Sequence, residues 1–217
     1  MNYHKPVLLN ECVKGLNIKP EGIYVDATFG GGGHSREIIK HLKSGKLFAF
    51  DQDNDAMKNK INHNNFKLIK ANFRYIKNFL KLEGISKIDG LLADLGVSSH
   101  QFDVPERGFT YRSDSQLDMR MNSDSVLNAK DIINSYSEAD LAELLYRYWD
   151  IGQSRKIAKK IIISREEKYI KTSYDLIDAL DGLFSEKYKN KFLSRIFQAI
   201  RIEVNDEINS LKELLND

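Results

Sequence analysis

Ile23-Tyr24-Val25-Asp26-Ala27-Thr28-Phe29-Gly30-Gly31-Gly32-Gly33-His34 is a short apolar run that breaks into four consecutive glycines. β-Branched and aromatic residues read as a buried strand, and glycines directly after it read as a loop where backbone must approach something closely. Ser35 then stands where a helix cap is expected, with Ile38, Ile39 and Leu42 on one face of the following helix and Gly45 placed to end it. Strand, glycine turn and helix make the first half of a βαβ unit. The next apolar run, Leu47-Phe48-Ala49-Phe50, ends in Asp51, about 20 residues past the glycines, where an acid can hold a pair of ribose hydroxyls.

The ligand class follows from what the loop lacks. A dinucleotide fingerprint needs G-x-G-x-x-G, and its third glycine falls on Ser35 or Arg36 in the two registers available. No Lys follows the glycines, so a phosphate-cradling G-x-x-x-x-G-K-[ST] loop is absent as well. A nucleoside cofactor without a phosphate site remains, and S-adenosylmethionine is one. The competing reading is a plain flexible turn followed by a surface acid.

Before this unit, Val7-Leu8-Leu9 is apolar, Glu11 to Leu16 reads as a short helix, and Lys19-Pro20-Glu21-Gly22 reads as a turn. After it, a helix is expected from Asp53 through Ile61, with Asp53 and Asp55 serving its N-terminal dipole. A third strand at Phe66 to Ile69 leads to Asn72-Phe73, where Phe73 is either a core aromatic or a lid on the adenine of the cofactor. A helix over residues 74 to 82 precedes a fourth strand at Ile88 to Asp94. Strands alternating with helices indicate a parallel α/β sheet, and ligands of such sheets lie across the strands' carboxyl edges. Asp94 is therefore expected beside the glycine loop.

From Pro105 the pattern changes to helices in succession, over residues 126–133, 138–148, 155–166, 173–184 and 190–202, with no strand between them. Leu141, Leu144, Leu145 and Tyr148, and then Ile157, Ala158, Ile161 and Ile162, recur at helical spacing and read as core. Arg155, Lys156, Lys159 and Lys160 fall opposite the second stripe, and Lys187, Lys189, Lys191, Arg195 and Arg201 follow; a basic face is either solvated or an RNA contact. The expected organisation is an α/β cofactor domain over 1–104, an inserted all-helical domain over 105–200 on the RNA side, and a helix over 201–217 returning to the first.

Composition agrees with an ordinary globular chain: 217 residues, 41% hydrophobic, 29% charged, net charge +2. So small a net charge carries no argument for nucleic acid by itself. The single Cys12 permits no internal disulfide, offers no metal site and reads as a packing residue, which suits a reducing cytoplasm. No apolar run approaches the ~20 residues of a membrane span.

A second cluster follows the fourth strand. Asp94-Leu95-Gly96-Val97-Ser98-Ser99-His100-Gln101 supplies hydrogen-bonding groups on a loop, and Arg107-Gly108-Phe109 and Leu117-Asp118-Met119-Arg120-Met121 continue it. Arginines, acids and aromatics on one connection suggest a binding surface, against the plainer reading of an Asp118 to Arg120 ion pair with no ligand.

Together with Thr28-Phe29-Gly30, Gly32-Gly33-His34-Ser35 and Phe197-Gln198-Ala199-Ile200-Arg201-Ile202-Glu203-Val204-Asn205, these motifs resemble, in order and over essentially the whole chain, the bacterial S-adenosylmethionine-dependent methyltransferases that modify cytosine N4 in small-subunit (16S) ribosomal RNA. The resemblance implies a Rossmann-like class I sheet with an inserted helical domain. It implies a methyl donor held by Gly32, Gly33, His34, Asp51, Phe73, Asp94 and Gln101, and a cytidine of the decoding region as acceptor. Asp94 or the Ser98/Ser99 loop would take hydrogen bonds from the acceptor amino group, whose delocalised lone pair makes it a poor nucleophile. Ser98, Ser99, Arg107, Phe109 and Arg120 are the expected substrate contacts, and no metal is expected. Many amino-methyltransferases place Pro-Pro-aromatic after an acidic or amide residue at this point, with the aromatic on the target base; here Asp94 is followed by Leu95-Gly96-Val97, so base stacking is expected from Phe102, Phe109 or Tyr111. Because the family continues beyond the helix that ends this chain, a truncated sheet is expected, with an uncovered edge at the fourth strand open to self-association. A noncatalytic RNA-binding or ribosome-assembly factor with the same fold is the alternative; a nicotinamide oxidoreductase fails on the third glycine.

Overall fold

The computed structural model describes residues 6–149 and 152–216. The chain forms two compact units, one of Met1–Ser99 with Ile208–Asp217, the other of His100–Glu207.

The first unit runs α1 (Leu9–Leu16), β1 (Ile23–Asp26), α2 (Gly33–His41), β2 (Lys46–Asp51), α3 (Asn54–Met57), β3 (Phe66–Lys70), a 3-10 turn at Phe73–Tyr75, α4 (Ile76–Leu82) and β4 (Gly90–Leu92). Among the described residues the sheet has four strands in the order β3-β2-β1-β4, all parallel, with Tyr24 beside both Leu47 and Gly90. Side chains alternate across it, as period two requires. Tyr24, Leu47 and Ala49 pack on one face with Ile38, Ile39 and Leu42 of α2. Val25, Phe48 and Phe50 pack on the other with Ile76 and Leu80 of α4. Helices on both faces of a parallel sheet make this an α/β, Rossmann-like fold. The chain crosses back over the sheet between β3 and β4, so strand order reverses between β1 and β4, where such sheets open a ligand crevice at their carboxyl ends.

Several boundaries differ from the sequence reading. Helix α2 begins at Gly33, capped by Gly32 at φ 74°, three residues before the expected Ser35 cap. Ser35 is instead fully buried, its hydroxyl donating to Asp26. The helix ends at His41; Gly45 sits in the following turn, donating its N–H to the Pro20 carbonyl. Helix α3 stops at Met57 rather than Ile61, although Asp53 does cap it, accepting from the Asp55 N–H. Strand β4 is three residues long, shorter than the expected 88–94.

The second unit begins within α5 (Ser99–Asp103) and continues through a 3-10 turn at Pro105–Arg107, α6 (Ala129–Ser135), α7 (Glu138–Trp149), α8 (Ser154–Glu167), α9 (Ser173–Ala179), a 3-10 turn at Glu186–Tyr188 and α10 (Lys189–Val204). The Asn128 and Thr172 side chains start α6 and α9 with reciprocal capping boxes to Asp131 and Asp175, which sets α6 three residues later than expected and α9 within the expected span. The stripe residues Leu141, Leu144, Leu145, Ile157, Ala158 and Ile161 are all buried, as their spacing requires. The expected single helix over 201–217 is broken: α10 ends at Val204, Asp206 adopts φ 48°, and α11 runs Glu207–Asn216. Residues of α11 join the first unit, where Ser210 receives a bond from Asn72, Glu213 pairs with Arg74, and Leu214 packs on the Val25 cluster.

Candidate functional site

The carboxyl ends of the first unit's strands carry the residues singled out above: the glycine loop after β1, Asp51 after β2, Phe73 after β3 and Asp94 after β4. Asp26, at the end of β1, organises them. Its carboxylate is fully buried and accepts from the Thr28 N–H at 3.1 Å and the Ser35 hydroxyl at 2.6 Å. Burial pushes its carboxyl above the ordinary range against those two bonds, and the nearby Asp94 charge adds to the rise. Thr28 in turn accepts from the Asp94 N–H at 2.7 Å. One threonine hydroxyl thus ties the start of the glycine turn to the start of the β4 loop.

The turn itself is held from three sides. Asp51 accepts from the Gly30 N–H at 2.7 Å, and Asn59 donates to the Gly30 carbonyl at 3.0 Å. Arg36 donates to the Gly31 carbonyl. A Cβ at Gly32 would stand 2.8 Å from the Phe29 ring and from the Arg36 guanidinium, and one at Gly33 would collide with Pro6. Among the described residues the N–H groups of Gly33, His34 and Ser35 have no acceptor, as expected in the first turn of a helix. With the helix dipole they form a place for a carboxylate. His34 contributes through this backbone, because its buried ring faces the Val7 carbonyl at 3.1 Å.

Asp51 is pre-oriented for a diol. One oxygen accepts from Gly30 and the other from the Asp53 N–H at 2.9 Å. Each carboxylate oxygen has a second lone pair, so two further donors can be received side by side. Burial pushes its carboxyl up to about 6 against those two N–H bonds; the Asp53 and Asp26 charges add to the rise. Phe73 is half-buried against the core cluster of Val25 and Phe48, and the Asn72 side chain holds its turn by accepting from the Arg74 N–H. Asp94 is exposed, and Ser98 and Ser99 follow on the same loop, Ser98 half-buried and Ser99 exposed.

The remaining expected contacts lie in the second unit. Gln101, in α5, is buried. Arg107 donates to the Arg120 and Met121 carbonyls and its guanidinium lies over the Phe109 ring, which is only 6% exposed. Arg120 pairs with Asp118 at 2.7 Å and donates to the Ser123 and Ser125 carbonyls. Asp118 and Arg120 thus form an ion pair, and both arginines hold loop backbone. Of the three aromatics expected to stack on a base, Phe109 is packed away, Tyr111 lies edge-on to Phe197, and Phe102 is half-buried with Arg112 over its ring.

Sequence reasoning missed two groups. Asp26 is given no role by the sequence reading, though an acid shortly before a glycine turn is well placed to hold it. Asn205 accepts from the Met121 N–H and donates to the Met119 carbonyl, both at 2.7 Å, pinning a loop where fully buried Met119 adopts φ 61°. Nothing in the local sequence announces a bond across more than eighty residues.

Comparison with known proteins agrees with this geometry. The model of the MraW methylase family matches residues 1–217. Relatives curated as ribosomal RNA small subunit methyltransferase H include those of Christiangramia forsetii, 55% identical over 99% of this chain and 72% of the relative, and Flavobacterium johnsoniae, 53% identical over the same shares. That of Cytophaga hutchinsonii is 54% identical over 98% of this chain and 72% of its own length. With a family match along its whole length and relatives about half identical to it, the chain belongs to the MraW methylase family.

Proposed function

We propose that this chain transfers a methyl group from S-adenosylmethionine to the exocyclic N4 of a cytidine in the decoding region of small-subunit ribosomal RNA. The observation that carries the reading is the Asp26, Thr28 and Asp94 linkage, which ties the start of α2 to an exposed aspartate, with Asp51 bound to the same glycine turn through the Gly30 N–H.

The donor set fits the cofactor. The N–H groups of Gly33 and His34 would hold its carboxylate, Asp51 its ribose hydroxyls and Phe73 its adenine, with Asp94 beside them. The acids Asp51 and Asp94 make the crevice anionic, which favours a cation that carries its charge on sulfur. When bound, the cofactor supplies an electrophilic methyl group. The residues of the chain must then orient the acceptor amino group, exclude water, and take a proton from nitrogen as the new C–N bond forms. Exposed Asp94 is the group offered for that proton, with Ser98 and Ser99 orienting the amine. Arg107, Phe109 and Arg120 would act on the substrate side through the loop they hold together.

The relatives named for ribosomal RNA support this acceptor class over a noncatalytic assembly factor. A ribosomal substrate also supports a cytoplasmic site of action; no described helix is long and apolar enough to cross a membrane. Among the described residues strand β4 lies at one edge of the sheet with Leu91 37% exposed, which supports self-association through that edge. Incubation with radiolabelled cofactor and small ribosomal subunits, followed by nucleoside mass spectrometry, tests the reaction: N4-methylcytidine is expected, and the noncatalytic alternative predicts cofactor-independent RNA binding with no label transferred.

A further inference from the structure

Some of the basic side chains that the sequence groups together have partners in the fold. Lys189 faces Glu186 at 3.4 Å, Arg201 is locked to Glu207 at 2.7 Å, and Lys187 lies over the Tyr188 ring. Lys168 pairs with Asp175, and Arg147 with Glu143. Helix α8 differs. Arg155, Lys156, Lys159 and Lys160 are all exposed, and among the described residues none has a hydrogen bond or ion pair. At 100° per residue they span about 140° of the helix surface, within about 8 Å along its axis. Like charges so placed repel one another, and the first turn of α8 holds no acid to offset them.

Beside this face lies a groove of about 930 Å³ between α7 and α8, lined by Tyr146, Gln153, Arg155 and Lys156 together with Glu138 and Glu143. Glu143 is already committed to Arg147. Tyr146 is 59% exposed, an aromatic face left open to solvent next to two cations. Cations that track a backbone beside an aromatic platform are the means by which single-stranded nucleic acid is held.

We propose that the basic face of α8, with the groove it shares with α7, is a docking surface for the phosphate backbone of RNA, Tyr146 stacking on a neighbouring base. The inference rests on the ribosomal RNA reading above and names where that RNA is gripped. A lipid surface fits less well: the apolar side of α8, Ile157, Ala158 and Ile161, is buried in the unit's core, leaving Ile163 as the exposed apolar residue of the helix.

The test replaces Arg155, Lys156, Lys159 and Lys160 with alanine in the full chain and measures filter binding of a small-subunit ribosomal RNA transcript over a salt series. At about 0.7 per neutralised phosphate on a single strand, four cations contribute a log–log slope of about 2.8, so the wild type should lose about 50-fold more affinity than the variant between roughly 50 and 200 mM salt. Exchanging each Lys for Arg and Arg155 for Lys should keep the wild-type slope, and Tyr146→Ala should weaken binding without changing it. Equal slopes for wild type and the alanine variant overturn the proposal. So does binding to phosphatidylserine vesicles, but not RNA, that depends on the four residues. Methyl transfer separates the two readings. A chain with the α8-dependent slope but no transferase activity refutes the proposed function alone, whereas unchanged RNA KM in an active alanine variant refutes the docking surface alone.

Discussion

Asp51 makes cofactor binding pH-dependent in a definite direction. Burial has pushed its carboxyl from 3.8 up to about 6, because the buried charged form is poorly solvated and two neighbouring aspartates repel it. The ribose hydroxyls can donate only to the ionised carboxylate with both oxygens free to accept, so protonation competes with binding. For a group titrating near 6 the affinity should fall about twofold at pH 6 and about tenfold at pH 5 relative to pH 7 or above. Stability has the opposite slope. The folded-state pKa lies above the unfolded one, so the folded protein binds the extra proton and this group's contribution is fully present below about pH 4. It is lost as pH rises through about 6, an order-of-magnitude difference of about 3 kcal/mol. Asp51→Asn should flatten both profiles while lowering affinity at pH 7. Calorimetric titration with S-adenosylmethionine from pH 5 to 8, beside urea unfolding at the same pH values, measures both. A wild-type affinity constant across that range, or an identical slope in Asp51→Asn, would refute the assignment of Asp51 to the ribose.

Three further outcomes follow from packing and hydrogen bonding. Gly32→Ala should cost about 1–3 kcal/mol and weaken cofactor binding, because it forces a left-handed residue and sets a Cβ against the Phe29 ring; a melting curve like that of the wild type would contradict this. Asn205→Ala leaves the Met121 N–H and Met119 C=O without their partner, and urea unfolding should show a loss of about 2–4 kcal/mol. Glu203 accepts from both Tyr136 and Tyr148, whose phenols burial and the Glu203 charge hold at about 12. Ultraviolet titration of Glu203→Gln should show both falling toward the ordinary value of about 10; unmoved phenols would assign the whole shift to burial.

The fold was legible where one physical rule dominates. Alternating apolar residues such as Leu47-Phe48-Ala49-Phe50 can fill two opposed cores only as a strand covered on both faces, and the stripe of α8 can bury only as a helix. Helix ends were less legible, because caps compete: Ser35 is a good cap in isolation, but buried Asp26 takes its hydroxyl and a left-handed Gly32 starts α2 earlier. Which carbonyls the arginines of the 107–121 segment reach was not legible, because composition does not reveal it. Arg107 and Arg120 reach those of neighbouring backbone. Conversely, the charges on α8 were visible in the sequence, but that they lack partners, unlike Lys189 and Arg201, is a property of the fold.

The account depends on the glycine turn, Asp51 and Asp94 lining a single binding site. Nuclear magnetic resonance of the nitrogen-15-labelled chain during titration with S-adenosylmethionine tests this directly. The amides of Gly30, Gly33, His34, Asp51 and Asp94 should shift together along one saturable curve. Saturable binding that leaves those five amides unmoved, or moves the Gly30 to His34 group and Asp94 with different affinities, would contradict it.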